Sequence, residues 1–210
     1  MKNIKAVVFD CDGVMFDTAD ANRMYYNLVL EHFNKPELTD EQFVKVHMFT
    51  VAEAIGYLFS DMETLEPVYR FMKSVGYQRF IPHMKMAPGL KPLLETLSAG
   101  HYIRGVATNR TDTMATVLQA NGLDASFDMV VTAADVARPK PAPDQLLEIL
   151  SRFGLKPGEM VFIGDSIYDA KAAARAGVLF IAFGNPSLEA DFHAATMAEV
   201  AGILKLDGSI

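Results

Sequence analysis

Two kinds of hydrophobic spacing divide the chain. A continuous apolar run from Ile4 to Phe9, without polar alternation, predicts a strand buried on both faces. From Thr18 to about Gly76 the apolar positions recur at helical spacing instead: Tyr25, Leu28, Val29 and Phe33 in one segment, Leu65, Val68, Tyr69 and Met72 in another. Thr39 with Gln42 and Thr50 with Glu53 have the spacing of capping boxes, in which the threonine hydroxyl takes a helix amide and the third residue reaches back. Gly76 is placed to end the last of these helices. After Pro88-Gly89 the pattern alternates. Helices are expected around Leu90 to Leu97, Met114 to Ala120, Asp144 to Phe153 and Tyr168 to Ala176; strands are expected at Tyr102 to Ala107, Met129 to Val131, Met160 to Ile163 and Val178 to Ala182. Parallel neighbours need a crossover, which is usually helical, so this alternation predicts an α/β fold with a parallel sheet wrapped by helices. The all-helical stretch lies between the first strand and the next, and reads as an insertion with junctions near Phe16 and Ala87. The expected division is therefore 1–16 with 87–210 as the core and 17–86 as the insertion.

Composition narrows the role. The chain has 210 residues, half of them apolar or aromatic and 14 of them Phe, enough for one core domain carrying an insertion. A net charge of −7 repels phosphate backbones and anionic lipid, so neither nucleic acid nor a membrane is an expected partner. Cys11, the only cysteine, cannot form an internal disulfide, and no apolar stretch has the length of a membrane span; a cytoplasmic protein is expected.

In open parallel sheets, ligands sit beyond the carboxyl ends of the strands. Polar residues follow several of the expected strands at that end: Asp10-Cys11-Asp12-Gly13 after the first, Thr108-Asn109 after the second, Gly164-Asp165 after the fourth. Carboxylates converging at Asp10, Asp12 and Asp165 would repel one another without a cation, and an all-oxygen donor set that leaves room for water and phosphate suits Mg²⁺. Opposite them, Lys140 lies between Pro139 and Pro141, in a stiffened loop suited to presenting one cation to an anionic substrate. Gly13 is expected to supply a positive φ or a close backbone approach.

Asp10-Cys11-Asp12-Gly13-Val14, Thr108-Asn109, Lys140-Pro141 and Gly164-Asp165-Ser166 with Asp169, in that order, resemble the four motifs of the haloacid dehalogenase superfamily. The match is to its phosphatase branch with a helical cap after the first motif, which includes phosphoglycolate phosphatases and β-phosphoglucomutases. The resemblance spans nearly the whole chain. It implies a Rossmann-like core with helices on both faces and an inserted α-helical cap that closes over the site and chooses a small phosphorylated metabolite. Asp10 would be the nucleophile that forms an aspartyl-phosphate, and Asp12 the acid and base for leaving group and water. Thr108 and amides near Asn109 would hold the phosphoryl oxygens, and Lys140 would neutralise charge. Asp165 would bind Mg²⁺ with Asp10 and the backbone carbonyl of Asp12, while Asp169 would be either an outer ligand or an orienter. The resemblance leaves a phosphatase and a phosphosugar mutase as alternatives, with the former favoured.

Competing readings of the same residues carry less weight. A calcium loop fails at Val14, Met15 and Ala21, where it needs an oxygen ligand, glycine and glutamate. Ser166 and Asp169 also have the spacing of a helix start, which is compatible with a metal role for Asp165. Cys11 between two acids is a poor nucleophile and is assigned to packing. Asp17 and Thr18 are expected to cap the first inserted helix, Arg110 is a candidate to reach substrate or cap, and Lys45, Arg70 and Lys73 are loose candidates for substrate contacts. The histidines, His32, His47 and His101 among them, show no metal spacing.

Overall fold

The computed structural model describes residues 3–206; the terminal residues 1, 2 and 207–210 of the expected core lie outside them. The chain forms two compact units. One holds the described residues up to Asp17 and those from Met86 onward, the other Thr18–Lys85.

The first unit is built on six parallel strands. In chain order they are β1 (Ala6–Phe9), then, after the two-residue strands β2 (Phe16–Asp17) and β3 (Lys85–Met86) at the crossings between units, β4 (Ile103–Ala107), β5 (Met129–Val131), β6 (Met160–Gly164), β7 (Leu179–Phe183) and β8 (Phe192–Ala194). Their spatial order is β5-β4-β1-β6-β7-β8. The chain thus builds outward from β1 in one direction, returns, and builds outward in the other. The reversal falls between β1 and β6, where Val7 pairs with Val161 and Phe9 with Ile163. All four β1 residues are fully buried, which explains why this strand reads as a continuous apolar run rather than an alternating one.

Among the described residues, five helices belong to this unit. These are α5 (Leu90–Ala99), α6 (Met114–Ala120), α7 (Asp144–Phe153), α8 (Ile167–Ala176) and α9 (Met197–Leu204). Ala6 and Val8 of β1 share a core with Leu146, Ile149 and Leu150 of α7, Phe162 and Phe180 of the sheet, and Ala172, Ala173 and Ala176 of α8. The small side chains of α8 let that helix lie close against the strands. Leu90, Leu93, Leu94 and Leu97 of α5 are buried too but lie outside that cluster, and α5 packs with β4 and α9. The sheet is flanked by helices on both faces, as expected. β8 and α9 were not expected: Phe192-His193-Ala194 is too short to show a period, and Thr196 marks the start of α9 only through its hydroxyl, which accepts from Glu199 N.

The inserted unit is helical: α1 (Ala19–His32), α2 (Asp40–Met48), α3 (Val51–Leu58), α4 (Glu66–Val75) and a 3₁₀ turn at Gln78–His83. Both expected capping boxes form, and Gly76 ends α4 with φ 66°. Thr18 departs from expectation. It precedes α1 but its side chain makes no capping bond, and its hydroxyl faces Asn22 Nδ2 at 3.4 Å instead. Asn22 also accepts from Tyr77 Oη at 2.5 Å and meets His47 Nδ1 at 3.2 Å, so His47 belongs to an internal polar network. Lys45, Arg70 and Lys73 are exposed. Among the described residues no helix is long and apolar enough to cross a membrane.

Candidate active site

The site lies at the carboxyl ends of β1 and β6, where the strand order reverses. Asp10 continues β1 by one residue, its N–H donating to Ile163 O at 2.9 Å, and Asp165 directly follows β6. Gly13 allows the two strand ends to meet. It sits at φ +76°, and a Cβ there would lie 2.0 Å from Asp165 Oδ2 and 2.4 Å from its Cγ. Both expectations for Gly13, positive φ and close approach, therefore coincide at one residue. Asn185 holds the other side of Asp165, its Nδ2 donating to the Asp165 carbonyl at 3.0 Å.

Lys140 reaches this point from the loop between β5 and α7, with a cis peptide bond to Pro141. Its ammonium is 2.8 Å from Asp10 Oδ1 and 2.6 Å from Asp169 Oδ1, and 5.3 Å from the centre of the Phe162 ring. All three charged groups are buried. Burial by itself would favour the neutral amine, but the two carboxylates outweigh it and hold the ammonium above the usual lysine range. Asp169 spends both oxygens. Oδ1 takes Lys140, while Oδ2 accepts from the N–H and hydroxyl of Ser166 in a capping box that starts α8. Asp169 thus contacts Lys140 with one oxygen and the start of α8 with the other.

Asp10, Asp165 and Asp169 offer carboxylate oxygens all within 4.8 Å of one another. Burial, then the charges of Asp10 and Asp169, push Asp165 up to about 8; burial also raises Asp10, against the pull of Lys140. With all three carboxyls ionised, one ammonium leaves two negative charges to balance, and the hard oxygen donors of Asp10 and Asp165 fit one divalent cation such as Mg²⁺. The Asp12 carboxylate, by contrast, is absent from this cluster. It turns to Arg110, which grips it with Nε to Oδ2 and Nη2 to Oδ1, both at 2.7 Å.

Thr108 is buried at the end of β4, and its hydroxyl accepts from Arg110 N at 3.2 Å, leaving the hydroxyl proton to donate elsewhere. Asn109 uses its side-chain amide to donate to the Lys140 carbonyl at 3.0 Å, tying the lysine loop to the end of β4. Gln145 was missed from the sequence. It is fully buried on α7, and its Nε2 donates to the Thr108 carbonyl at 2.7 Å. The available signal was a polar residue four positions before Ile149, on the apolar face of the helix. Cys11 is buried, and burial followed by the charge of Asp12 pushes its thiol far above the ordinary range, consistent with packing.

This arrangement has parallels among known proteins. Residues 7–183 match the haloacid dehalogenase-like hydrolase family. The chain is 29% identical to a phosphoglycolate phosphatase from Chromobacterium violaceum, over 98% of each chain. It is 28% identical to the pyrophosphatase PpaX of Bacillus velezensis, covering 84% of this chain and 81% of that one. A solved haloacid dehalogenase-superfamily hydrolase from Geobacter sulfurreducens shares 37% identity over 96% of this chain and 97% of its own, with a TM-score of 0.81. A parallel sheet with an acid pair after its first strand, and a family match across most of its length, show that this chain belongs to the haloacid dehalogenase-like hydrolases.

Proposed function

We propose that this enzyme is a Mg²⁺-dependent phosphatase of small phosphorylated metabolites, resembling phosphoglycolate phosphatases, and that it works in the cytoplasm through an aspartyl-phosphate. The observation that carries this reading is Asp10 at the strand end, 2.8 Å from Lys140 and clustered with Asp165. An oxygen of Asp10 attacks phosphorus in line as the bond to the leaving oxygen breaks, and Asp12 passes a proton to that oxygen. In the second half, Asp12 takes a proton from water, the water oxygen attacks phosphorus, and the bond to Asp10 breaks to release inorganic phosphate. The Thr108 hydroxyl, amides near Asn109 and the Lys140 ammonium hold the phosphoryl oxygens and offset their charge. Mg²⁺ would be held by Asp10, Asp165 and the backbone carbonyl of Asp12, and when bound supplies electrostatic stabilisation of the transferring group.

Relatives named phosphoglycolate phosphatase and pyrophosphatase support hydrolysis over transfer back to a sugar. The test is phosphate release from a panel of phosphomonoesters, including phosphoglycolate and hexose phosphates, with and without Mg²⁺, using Asp10→Asn as the blank. Metal-dependent release that vanishes in the blank is expected. No release, with conversion of a sugar 1-phosphate to its 6-phosphate, would replace the phosphatase by a mutase.

A further inference from the structure

The mechanism above leaves Arg110 without a task and creates a conflict that Arg110 explains. Asp12 must turn an oxygen toward the leaving group, yet both of its oxygens are held by the guanidinium fork at 2.7 Å. The fork is fixed at its base. The Arg110 N–H donates to Thr108 Oγ1 at 3.2 Å, its carbonyl accepts from Ala133 N at 2.9 Å, and Nη1 donates to Thr113 Oγ1 at 3.2 Å. The Arg110 side chain is only 9% exposed while that of Asp12 is 32% exposed, so the carboxylate is the more accessible half of the pair.

Position decides which part of a substrate Arg110 can meet. Lys140 is committed to Asp10 and Asp169, on the side of the transferring phosphoryl group. Arg110 is committed to Asp12, and the work of Asp12 lies at the leaving oxygen. Arg110 therefore stands on the leaving-group side. A guanidinium fork recognises planar carboxylates and phosphates by two parallel hydrogen bonds, the geometry it already makes with Asp12.

Resting on the phosphatase reading, we propose that Arg110 is a specificity-determining residue that binds a second anionic group on the leaving group, a carboxylate or phosphate a few atoms from the leaving oxygen. The substrate's anion replaces Asp12 on the fork, and the released Asp12 turns to the leaving oxygen. Recognition and proton transfer are thereby coupled by exchange of one ion-pair partner. The substrate class is a phosphoryl group joined to a small, anion-bearing leaving group. Esters with neutral leaving groups lack the replacement anion and leave Asp12 on the arginine.

The test compares phosphoglycolate with ethyl phosphate, whose ester oxygens leave with similar difficulty but only one of which carries a carboxylate. p-Nitrophenyl phosphate serves as the measure of phosphatase activity in general. The wild type is expected to favour phosphoglycolate by about tenfold or more in kcat/KM. In Arg110→Met the ratio of the two kcat/KM values is expected to collapse toward one, whatever happens to either value alone, because misplacement of Asp12 affects both substrates and cancels. Arg110→Lys, which keeps the charge without the fork, should recover part of the ratio and is measured in any case. Glycolate should inhibit p-nitrophenyl phosphate hydrolysis competitively in the wild type and much more weakly in the variants. A wild-type ratio near one, or an equal loss on both substrates in the variants, would overturn the proposal while p-nitrophenyl phosphate hydrolysis upheld the phosphatase. Absence of phosphate release from all three esters would remove the phosphatase reading itself, and this inference with it.

Discussion

Replacing Gly13 by alanine tests how the site is assembled, because one methyl group meets two separate constraints. At φ +76° an L-residue takes a left-handed conformation that costs about 1–2 kcal/mol. For a chain of this size, each kcal/mol lowers Tm by about 2–4 °C, so backbone strain accounts for a fall of about 2–8 °C. The second constraint is local. The new Cβ would stand 2.0 Å from Asp165 Oδ2, whereas ordinary contact begins near 3.4 Å, so the carboxylate has to retreat by about 1.4 Å. Asn185 holds the Asp165 backbone carbonyl, so the side chain takes up most of the movement. A displacement of that size removes Asp165 from the cluster it forms with Asp10 and Asp169, and misplacements near 1 Å cost about 100-fold in rate. Thermal unfolding with and without Mg²⁺, combined with steady-state kinetics, separates the two effects. Wild-type Tm is expected to rise with Mg²⁺. Gly13→Ala is expected to start lower, gain little from the metal, and lose about 100-fold in kcat/KM. A folded Gly13→Ala protein with wild-type metal response and wild-type turnover would refute the argument that this glycine exists to admit Asp165.

Asp12→Asn should abolish most turnover yet keep the Mg²⁺-induced rise in Tm, since the Asp12 carboxylate faces Arg110 rather than the acidic cluster; loss of that rise at unchanged fold would assign the carboxylate to the metal. Gln145→Leu takes the side-chain donor from the Thr108 carbonyl in a fully buried place, so about 1–3 kcal/mol of stability should be lost in chemical denaturation, with kcat/KM falling as Thr108 loosens; wild-type values of both would leave Gln145 without a positioning role. The pH dependence of metal stabilisation follows from Asp165, whose folded pKa of about 8 lies above its ordinary 3.8. Stability is present in full below the lower value and declines as pH rises toward the upper one, because the unfolded chain ionises first. Mg²⁺ takes the place of the proton, so at 100-fold excess over its dissociation constant it adds about 2.7 kcal/mol, and the gain in Tm should be larger at pH 8 than at pH 6. Equal gains at the two pH values would count against the acidic cluster as the metal site.

Much of the fold could be read from local rules. The continuous apolar run of β1, the helical spacing around Tyr25 and Met72, the capping boxes at Thr39 and Thr50 and the terminating Gly76 are all properties of neighbouring residues, and each appears in the structure. The order of strands and helices from α5 to β7 was legible for the same reason, as was the gathering of polar residues at the ends of β1, β4 and β6. The family resemblance lay in short motifs whose order survives in the sequence. What the sequence left open depends on pairs far apart in the chain. That Asp169 pairs with Lys140, 29 residues away, is decided by the packing of α8 against the lysine loop. That the Asp12 side chain leaves the acidic cluster for Arg110 is decided by β1 and β4 lying side by side, which joins residues 98 positions apart. Gln145 looked like an ordinary helix residue until the sheet placed the Thr108 carbonyl beneath it. Periodicity and capping act over a few residues and are written in the sequence directly; the partner of a buried charge is settled by strand order and helix packing, which bring groups within hydrogen-bond distance only when the whole core has formed.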